Sequence, residues 1–498
     1  MKRVLFTWVL GFIGLSFAAA QKGAKPMNII YILSDDHRYD FMGFMGKVPG
    51  LKTPGMDRMA REGLHLKNAF VTTALCSPSR ASVLTGQYAH THTVVDNDAP
   101  MPANLVFFPQ YLQKQGYKTA FMGKWHMGNT GDQPQPGFDH WISFQGQGLY
   151  RGNILNIDGK KVQTGTEEYI TDVLTDRAIG WMDRVKGGPF CLYLSHKGVH
   201  AEFEPAKRHK GLYKNLPIEC PPSMYLTATD SSKTYGRHNP PQTRVNYRDI
   251  PQWVRAQRYS WHGVDYMYHG QIPFDEFYHL YLETLLSVDE SVARVLDWVE
   301  KNGLKDNTLV VYMGDNGFLF GEHGLIDKRN AYEESMRVPL LMWAPGMIKP
   351  NSVAEQMVLG IDLAPTFLEL AGIGQKPAQM QGQSMLPILN GEKPDWRHQV
   401  FYEYYWESAF PETPTIFAVR DDRYKYIFNY GIWDINELYD LKEDPHEMNN
   451  LIRDPAMKGI GLDLRAKLFN WMDSTNGLNI PLRKQRGIRG DNLYKGTY

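Results

Sequence analysis

Four apolar runs along the chain each end in a short polar segment. Asn28-Ile-Ile-Tyr-Ile-Leu33 leads into Ser34-Asp35-Asp36, and Thr119-Ala-Phe-Met122 leads into Gly123-Lys124-Trp125-His126. Phe190-Cys-Leu-Tyr-Leu194 leads into Ser195-His196-Lys197, and Leu309-Val-Val-Tyr-Met313 leads into Gly314-Asp315-Asn316-Gly317. Unbroken apolar runs of this length read as strands buried on both faces, as in the middle of an α/β sheet. Helical patterns lie between them. From Phe277 to Lys301, residues Tyr281, Leu285, Val288, Val292, Val295, Leu296 and Val299 recur at the spacing of one buried helix face. In open α/β sheets, ligands gather beyond the carboxyl ends of the strands. Asp, Lys, His and Asn at four such ends therefore predict one composite site.

From about Gln381 the pattern changes. Ile416–Arg420, Tyr424–Phe428 and Glu437–Asp440 predict short strands joined by turns, and Leu462–Met472 predicts a closing amphipathic helix. The expected architecture is a large α/β catalytic domain over 21–385, with a central, mostly parallel sheet flanked by helices. A smaller α+β unit with a short antiparallel sheet follows over 386–498. The segment His200–Pro273 is rich in Tyr, Arg, His and Pro and has little periodicity. Long irregular segments inside a domain are functional or disordered, and the aromatic content predicts an ordered loop near a site.

Composition narrows the class. A chain of 498 residues exceeds what one core usually organises. Lys+Arg and Asp+Glu each number 54, which argues against a general nucleic-acid binder but leaves room for a basic pocket. Lys2 and Arg3, the apolar run Val4–Phe17 and Ala18-Ala19-Ala20 predict a cleavable export signal over 1–20 and a periplasmic or secreted protein. That run is short for a membrane span, and no other stretch predicts one in the mature chain. Three cysteines in an exported protein leave at least one thiol unpaired. If a disulfide forms, Cys191–Cys220 is the default pair, which sets Cys76 apart.

Cys76-Ser-Pro-Ser-Arg-Ala-Ser-Val-Leu-Thr-Gly86 is the most informative stretch. Pro78 suits the first turn of a helix and Gly86 its end. Cys76 then sits at a helix N-terminus, where free N–H groups and the dipole favour an anion. Arg80 projects from the same face, and its charged fork suits a sulfate ester. This segment resembles the type I sulfatases of the alkaline phosphatase superfamily, whose signature is C-x-P-x-R with a Leu-Thr-Gly tail. Residues 76 to 86 match it without a gap, and the similarity covers most of 27–372 and, more loosely, the C-terminal part. The resemblance implies that a formylglycine-generating enzyme oxidises Cys76 to formylglycine. The hydrated aldehyde carries two hydroxyls on one carbon. One attacks sulfur and the alcohol leaves; the other then loses its proton, the aldehyde re-forms and sulfate is expelled.

Asp35, Asp36, Asp315 and Asn316 offer four oxygen donors with no clustered His or Cys ligands, a set suited to Ca²⁺ or Mg²⁺. The resemblance implies one Ca²⁺ on these residues, also touching the formylglycine made from Cys76. Gly123-Lys-Trp-His-Met-Gly128 resembles a family segment in which Lys124 clamps sulfate and His126 deprotonates the second hydroxyl. By the same resemblance, His196 protonates the leaving alcohol, a role suited to a pKa near neutrality. His196 and His200 are four apart, as in a helical zinc pair, but Gly198 weakens a helix and no third soft ligand appears. Lys328 matches a lysine that contacts both sulfate and leaving oxygen, while His323 is assigned no role. Arg80, Lys124 and Lys328 would place three cations around one sulfate.

Export and aromatic loops point to a sulfated carbohydrate, either a polysaccharide or a glycosaminoglycan-type oligosaccharide. Glu403, Tyr405, Trp406 and Trp433 in the C-terminal unit are the candidate sugar contacts, although such aromatics also suit a core between the two domains. Arg237, Arg244, Arg248, Arg255 and Arg258 form a solvated basic surface or meet further anionic groups on the substrate. Two other functions are compatible with the fold. A phosphatase or phosphodiesterase on this scaffold uses Ser or Thr as nucleophile and two zinc ions. A non-catalytic glycan-binding relative would have lost parts of the constellation.

Overall fold

The computed structural model describes residues 26–128, 131–225, 249–258, 260–265 and 272–481. The expected export signal and Arg237, Arg244 and Arg248 lie outside the described residues. Each of the four apolar runs forms a strand. In chain order the strands are β1 (Asn28–Ser34), β2 (Leu64–Phe70), β3 (Lys118–Lys124), β4 (His140–Phe144), β5 (Ile154–Ile157) and β6 (Lys160–Gln163). Then come β7 (Phe190–Ser195), β8 (Thr308–Gly314), β9 (Leu319–Phe320), β10 (Ile326–Asp327), β11 (Leu340–Trp343) and β12 (Ser352–Leu359). Ten of them make one sheet in the order β12-β2-β11-β8-β1-β7-β3-β4-β5-β6. The centre, β8-β1-β7-β3-β4, is parallel, and β11 and β5 are the first antiparallel strands on either side. The four predicted strands are therefore neighbours, and their polar ends open on one edge of the sheet.

The period of two along each strand divides the interior into two cores. Ile29, Tyr31 and Leu33 face one side with Cys191 and Tyr193. Ile30 and Ile32 face the other with Leu192 and Leu194. Helix α3 (Phe274–Lys301), the long amphipathic pattern, packs on the second face, where Leu285, Val288, Val292 and Val299 are fully buried. Helix α2 (Ile170–Val185) lies beside it. On the first face lie α1 (Cys76–Thr85) and α4 (Leu363–Leu370).

The C-terminal unit is an antiparallel sheet of β13 (Gln399–Tyr404), β14 (Thr415–Asp421), β15 (Tyr424–Tyr430) and β16 (Glu437–Asp440), covered by α5 (Lys458–Ser474). Its Val400, Tyr402, Ile416, Val419 and Leu468 continue the first core without a polar layer between. The default disulfide is not formed. Cys191 points into the first core, whereas Cys220 packs against the second, on the opposite side of the sheet.

Candidate active site

Cys76 is the first residue of α1, whose ten residues are all buried. Gly86 closes the helix in the left-handed region at φ 68°, and its N–H donates to Ser82 O at 2.8 Å. The helix N-terminus thus meets the strand ends instead of water. Asp35 and Asp36 follow β1, and Asp315 and Asn316 follow β8. The Asp36 N–H donates to Asp315 Oδ1 at 3.0 Å and ties the two ends together. One carboxylate oxygen from each of Asp35, Asp36 and Asp315 lies within 4.8 Å of the others. Cys76 Sγ sits above them, 3.3 Å from Asp35 Oδ1 and 3.3 Å from Lys328 Nζ.

Three cations surround this group. Arg80 Nε and Nη2 reach Asp315 Oδ2 at 2.9 and 2.7 Å, and Nη1 donates to Lys124 O at 2.7 Å. Lys124 Nζ pairs with Asp35, and Lys328 Nζ pairs with Asp36. Gly123 brings Lys124 into place. At φ 123° it lies so close to β7 that a Cβ there would fall 1.7 Å from Ser195 O. His126 is buried two residues further on, at φ 56°. Asp36, His126, Asp327 and Arg329 all hold positive φ, at 51°, 56°, 81° and 77°. Each such position costs about 1–3 kcal/mol, strain that gathers at functional sites.

Charge crowding sets the titration behaviour. Burial works to raise Asp35, but Lys124 and Arg80 outweigh it and hold that carboxyl well below the usual range. Burial, only partly offset by Lys328, pushes Asp36 up to about 7. Burial and then Asp35 also raise Asp315. Burial and the Asp35 charge push the Cys76 thiol far up, so an unmodified Cys76 carries almost no thiolate and is a poor nucleophile. Asp36 Oδ2 and Asn316 Oδ1 are buried without a hydrogen-bond partner. An all-oxygen set with two unsatisfied acceptors and three crowded carboxylates fits one hard divalent cation.

Two expectations need correction. His196 is not at the site: its Nε2 meets Ser291 Oγ of α3 at 2.9 Å, and Ser291 in turn bonds Thr175. The cause is strand alternation. Ser195 points to the first face, where its Oγ meets Arg80, so His196 points to the second. Burial pushes His196 down to about 3, consistent with a neutral core histidine. His200 takes the expected place. Its ring offers a nitrogen within 4.8 Å of Asp35 and Cys76, and Nε2 is 3.9 Å from Asp36 Oδ2. The loop turns back because Asp35 N donates to Gly198 O at 2.9 Å and Val199 N donates to Asp35 O at 2.7 Å. Burial, then Lys124, lower the His200 pKa well below its ordinary value. Lys197 arrives in the same loop.

The second correction concerns the sugar contacts. Glu403 and Tyr405 are fully buried in the seam between the two units. Glu403 accepts the His90 N–H at 3.0 Å, pairs with His90 Nδ1 at 2.8 Å and accepts the Tyr405 hydroxyl at 2.8 Å. No face of either residue is left for a ligand. Trp406 is half-buried and bonded within its own unit, through Thr415 and Pro411. Trp433 stands fully exposed on the β15–β16 turn. Arg258 is likewise structural, buried against Asp265 and Met224 O. The C-terminal unit reaches the site elsewhere. Arg329 pairs with Asp327 and, at 2.9 Å, with Glu407, and its guanidinium lies 3.8 Å from the centre of the Phe410 ring. His262 stacks on the other part of this wall, 4.5 Å from Phe410 and 3.2 Å from Asp327 Oδ2.

A mixed sheet with acidic strand ends, a helix-borne nucleophile position and ringing cations defines a hydrolase of the alkaline phosphatase superfamily. The sulfatase family profile matches residues 27–373, and the chain belongs to that family: it is a sulfuric ester hydrolase. A profile described as N-sulphoglucosamine sulphohydrolase, C-terminal, matches residues 321–474. The chain is 34% identical to the N-acetylglucosamine-6-O-sulfatase of Bacteroides thetaiotaomicron, over 91% of this chain and 88% of that protein. It is 30% identical to the N-acetylglucosamine-6-sulfatase of Capra hircus, over 90% and 84%. The solved structure of BT4656 in complex with its substrate D-glucosamine-2-N,6-O-disulfate superposes with a TM-score of 0.78 and 31% identity, covering 93% of this chain and 100% of that one.

Proposed function

We propose that this sulfatase hydrolyses the 6-O-sulfate of glucosamine-type units in sulfated glycans, using Cys76 after its oxidation to formylglycine. The observation that carries the mechanism is Cys76 at the head of a buried helix, held between Asp35 and Lys328 over three carboxylates. The substrate class is supported by relatives named for N-acetylglucosamine-6-sulfate that align over nine-tenths of the chain. Burial and Asp35 keep the thiol protonated, and oxidation by a formylglycine-generating enzyme replaces it with an aldehyde that hydrates. One Ca²⁺ on Asp35, Asp36, Asp315 and Asn316 would supply positive charge beside the sulfate oxygens and orient them.

The remaining steps belong to side chains. Arg80, Lys124 and Lys328 bind the sulfate and stabilise the charge that develops on it. Lys328, next to Cys76 Sγ, also faces the bond that breaks. His200 gives its proton to the departing sugar oxygen, and His126 takes the proton that releases sulfate. In the substrate-free protein His200 is neutral at pH 7; the negative sulfate raises its pKa and prepares it as an acid. The C-terminal unit, read as 386–498, supplies Glu407 and Phe410 to the wall behind Asp327 and Arg329. The activity is assigned outside the cytoplasm, after removal of residues 1–20. Among the described residues no helix is long and apolar enough to cross a membrane.

The test is sulfate release from N-acetylglucosamine-6-sulfate, its 3-sulfate isomer and D-glucosamine-2-N,6-O-disulfate, beside the matching 6-phosphate. Selective cleavage of the 6-sulfate is expected. Preference for another position, or faster phosphate release, would overturn the assignment.

A further inference from the structure

We infer that Lys197 is a substrate-binding residue for the scissile sulfate, a fourth cation beyond Arg80, Lys124 and Lys328. The inference rests on the sulfatase reading of this site. Lys197 lies two residues beyond β7, in the loop whose backbone pairs with Asp35 through Gly198 and Val199. It is only 4% exposed. The other three cations each hold a carboxylate: Arg80 has Asp315, Lys124 has Asp35, and Lys328 has Asp36. Among the described residues, no carboxylate oxygen lies within 4.0 Å of Lys197 Nζ. Its ammonium instead lies 4.8 Å from the centre of the Tyr150 ring.

Tyr150 is itself fixed. It stacks on Tyr169 at 5.7 Å, and its hydroxyl donates to His200 O at 2.7 Å. One side chain therefore frames both Lys197 and the backbone of His200. A π face offsets part of the cost of taking an ammonium out of water, but a buried cation is compensated fully only by an anion. The backbone bonds of Gly198 and Val199 to Asp35, and the approach of His200 to Asp35 and Cys76, hold the Lys197 loop at the nucleophile. Burial and then Lys124 push Lys197 down to about 8, as expected of a cation short of a negative partner. A sulfate seated over Cys76 is that partner.

The test compares full-length wild-type protein with Lys197→Met and Lys197→Arg in calcium-containing buffer. Two quantities are read: the rise in melting temperature caused by inorganic sulfate, and KM and kcat on mono- and disulfated glucosamine. Loss of one charge-assisted hydrogen bond corresponds to about a tenfold to hundredfold loss of affinity. Lys197→Met should weaken sulfate protection and raise KM for N-acetylglucosamine-6-sulfate, each by that factor, while Lys197→Arg stays close to wild type in both. Equal protection and equal KM in Lys197→Met would overturn the inference and leave the sulfatase reading intact. A KM rise confined to the disulfated sugar would assign Lys197 to the second sulfate and also overturn it. A wild-type protein that is neither protected by sulfate nor active would overturn both.

Discussion

The exchange of His196 for His200 makes a quantitative prediction. Both histidines belong to one loop, five residues long from end to end, yet only His200 approaches Asp35, Asp36 and Cys76. Replacing a general acid lowers turnover by about 10²- to 10⁴-fold, so His200→Ala should lose that much kcat on a sugar sulfate. The loss should be smaller on an activated aryl sulfate, whose phenolate leaves without a proton. His196→Ala removes the 2.9 Å contact with Ser291 Oγ, while the Ser291–Thr175 bond at 2.7 Å remains. Its cost should appear as about 1–3 kcal/mol of stability, with kcat little changed. The assay is kcat on both substrates alongside thermal unfolding of each variant. A fall in kcat of about a hundredfold at unchanged melting temperature in His196→Ala, with activity kept in His200→Ala, would refute the reassignment.

Other predictions follow from the same geometry. Glu403→Gln should destabilise the protein by about 1–3 kcal/mol in chemical denaturation, through the His90 and Tyr405 bonds, and leave KM unchanged. A raised KM would restore Glu403 as a sugar contact. Exhaustive chelation should abolish turnover and lower the melting temperature, because Asp35, Asp36 and Asp315 are left crowded, and added calcium should restore both. Turnover that survives chelation would contradict the metal assignment. Acid should act on the fold through its buried histidines. Burial pushes His196, His262 and His323 each to about 3, against about 6.5 in the unfolded chain. The unfolded state binds more protons between those values. Their contribution to stability is therefore full above pH 6.5 and is lost toward pH 3, by up to about 1.4 kcal/mol per pH unit for each histidine, while Asp36, raised to about 7, works in the opposite sense below pH 7. A His196→Gln variant whose urea midpoint changes between pH 7 and 5 as steeply as that of the wild type would contradict this.

The parts of the site carried by strand ends were legible because continuous apolar runs end where the chemistry begins. Asp35 and Asp315 follow β1 and β8, Lys124 is the last residue of β3, and these strands lie in one parallel block. Cys76 and Arg80 were legible from one helix turn with a proline near its start and a glycine at its end. The motif match places His196 at the site, against strand alternation. The period of two along Phe190–Ser195 already directs His196 to the α3 side. Glu403 and Tyr405 differ from the sequence expectation for another reason. Aromatic and acidic residues in one strand look alike whether they wall a pocket or fill a seam, and only the partner His90, far away in the chain, decides. Asp327 and Arg329 flank a residue that was identified, but their positive φ values and mutual pairing have no local signature in the sequence. The role of Tyr150 is equally invisible, since it depends on a loop some fifty residues on.

The most direct test of the account is the mass of the tryptic peptide Asn68–Arg80 from protein made with an active formylglycine-generating system. The account predicts that residue 76 carries an aldehyde in place of its thiol and that the modified fraction matches the fraction of active sites. An unmodified thiol in a fully active preparation would contradict it.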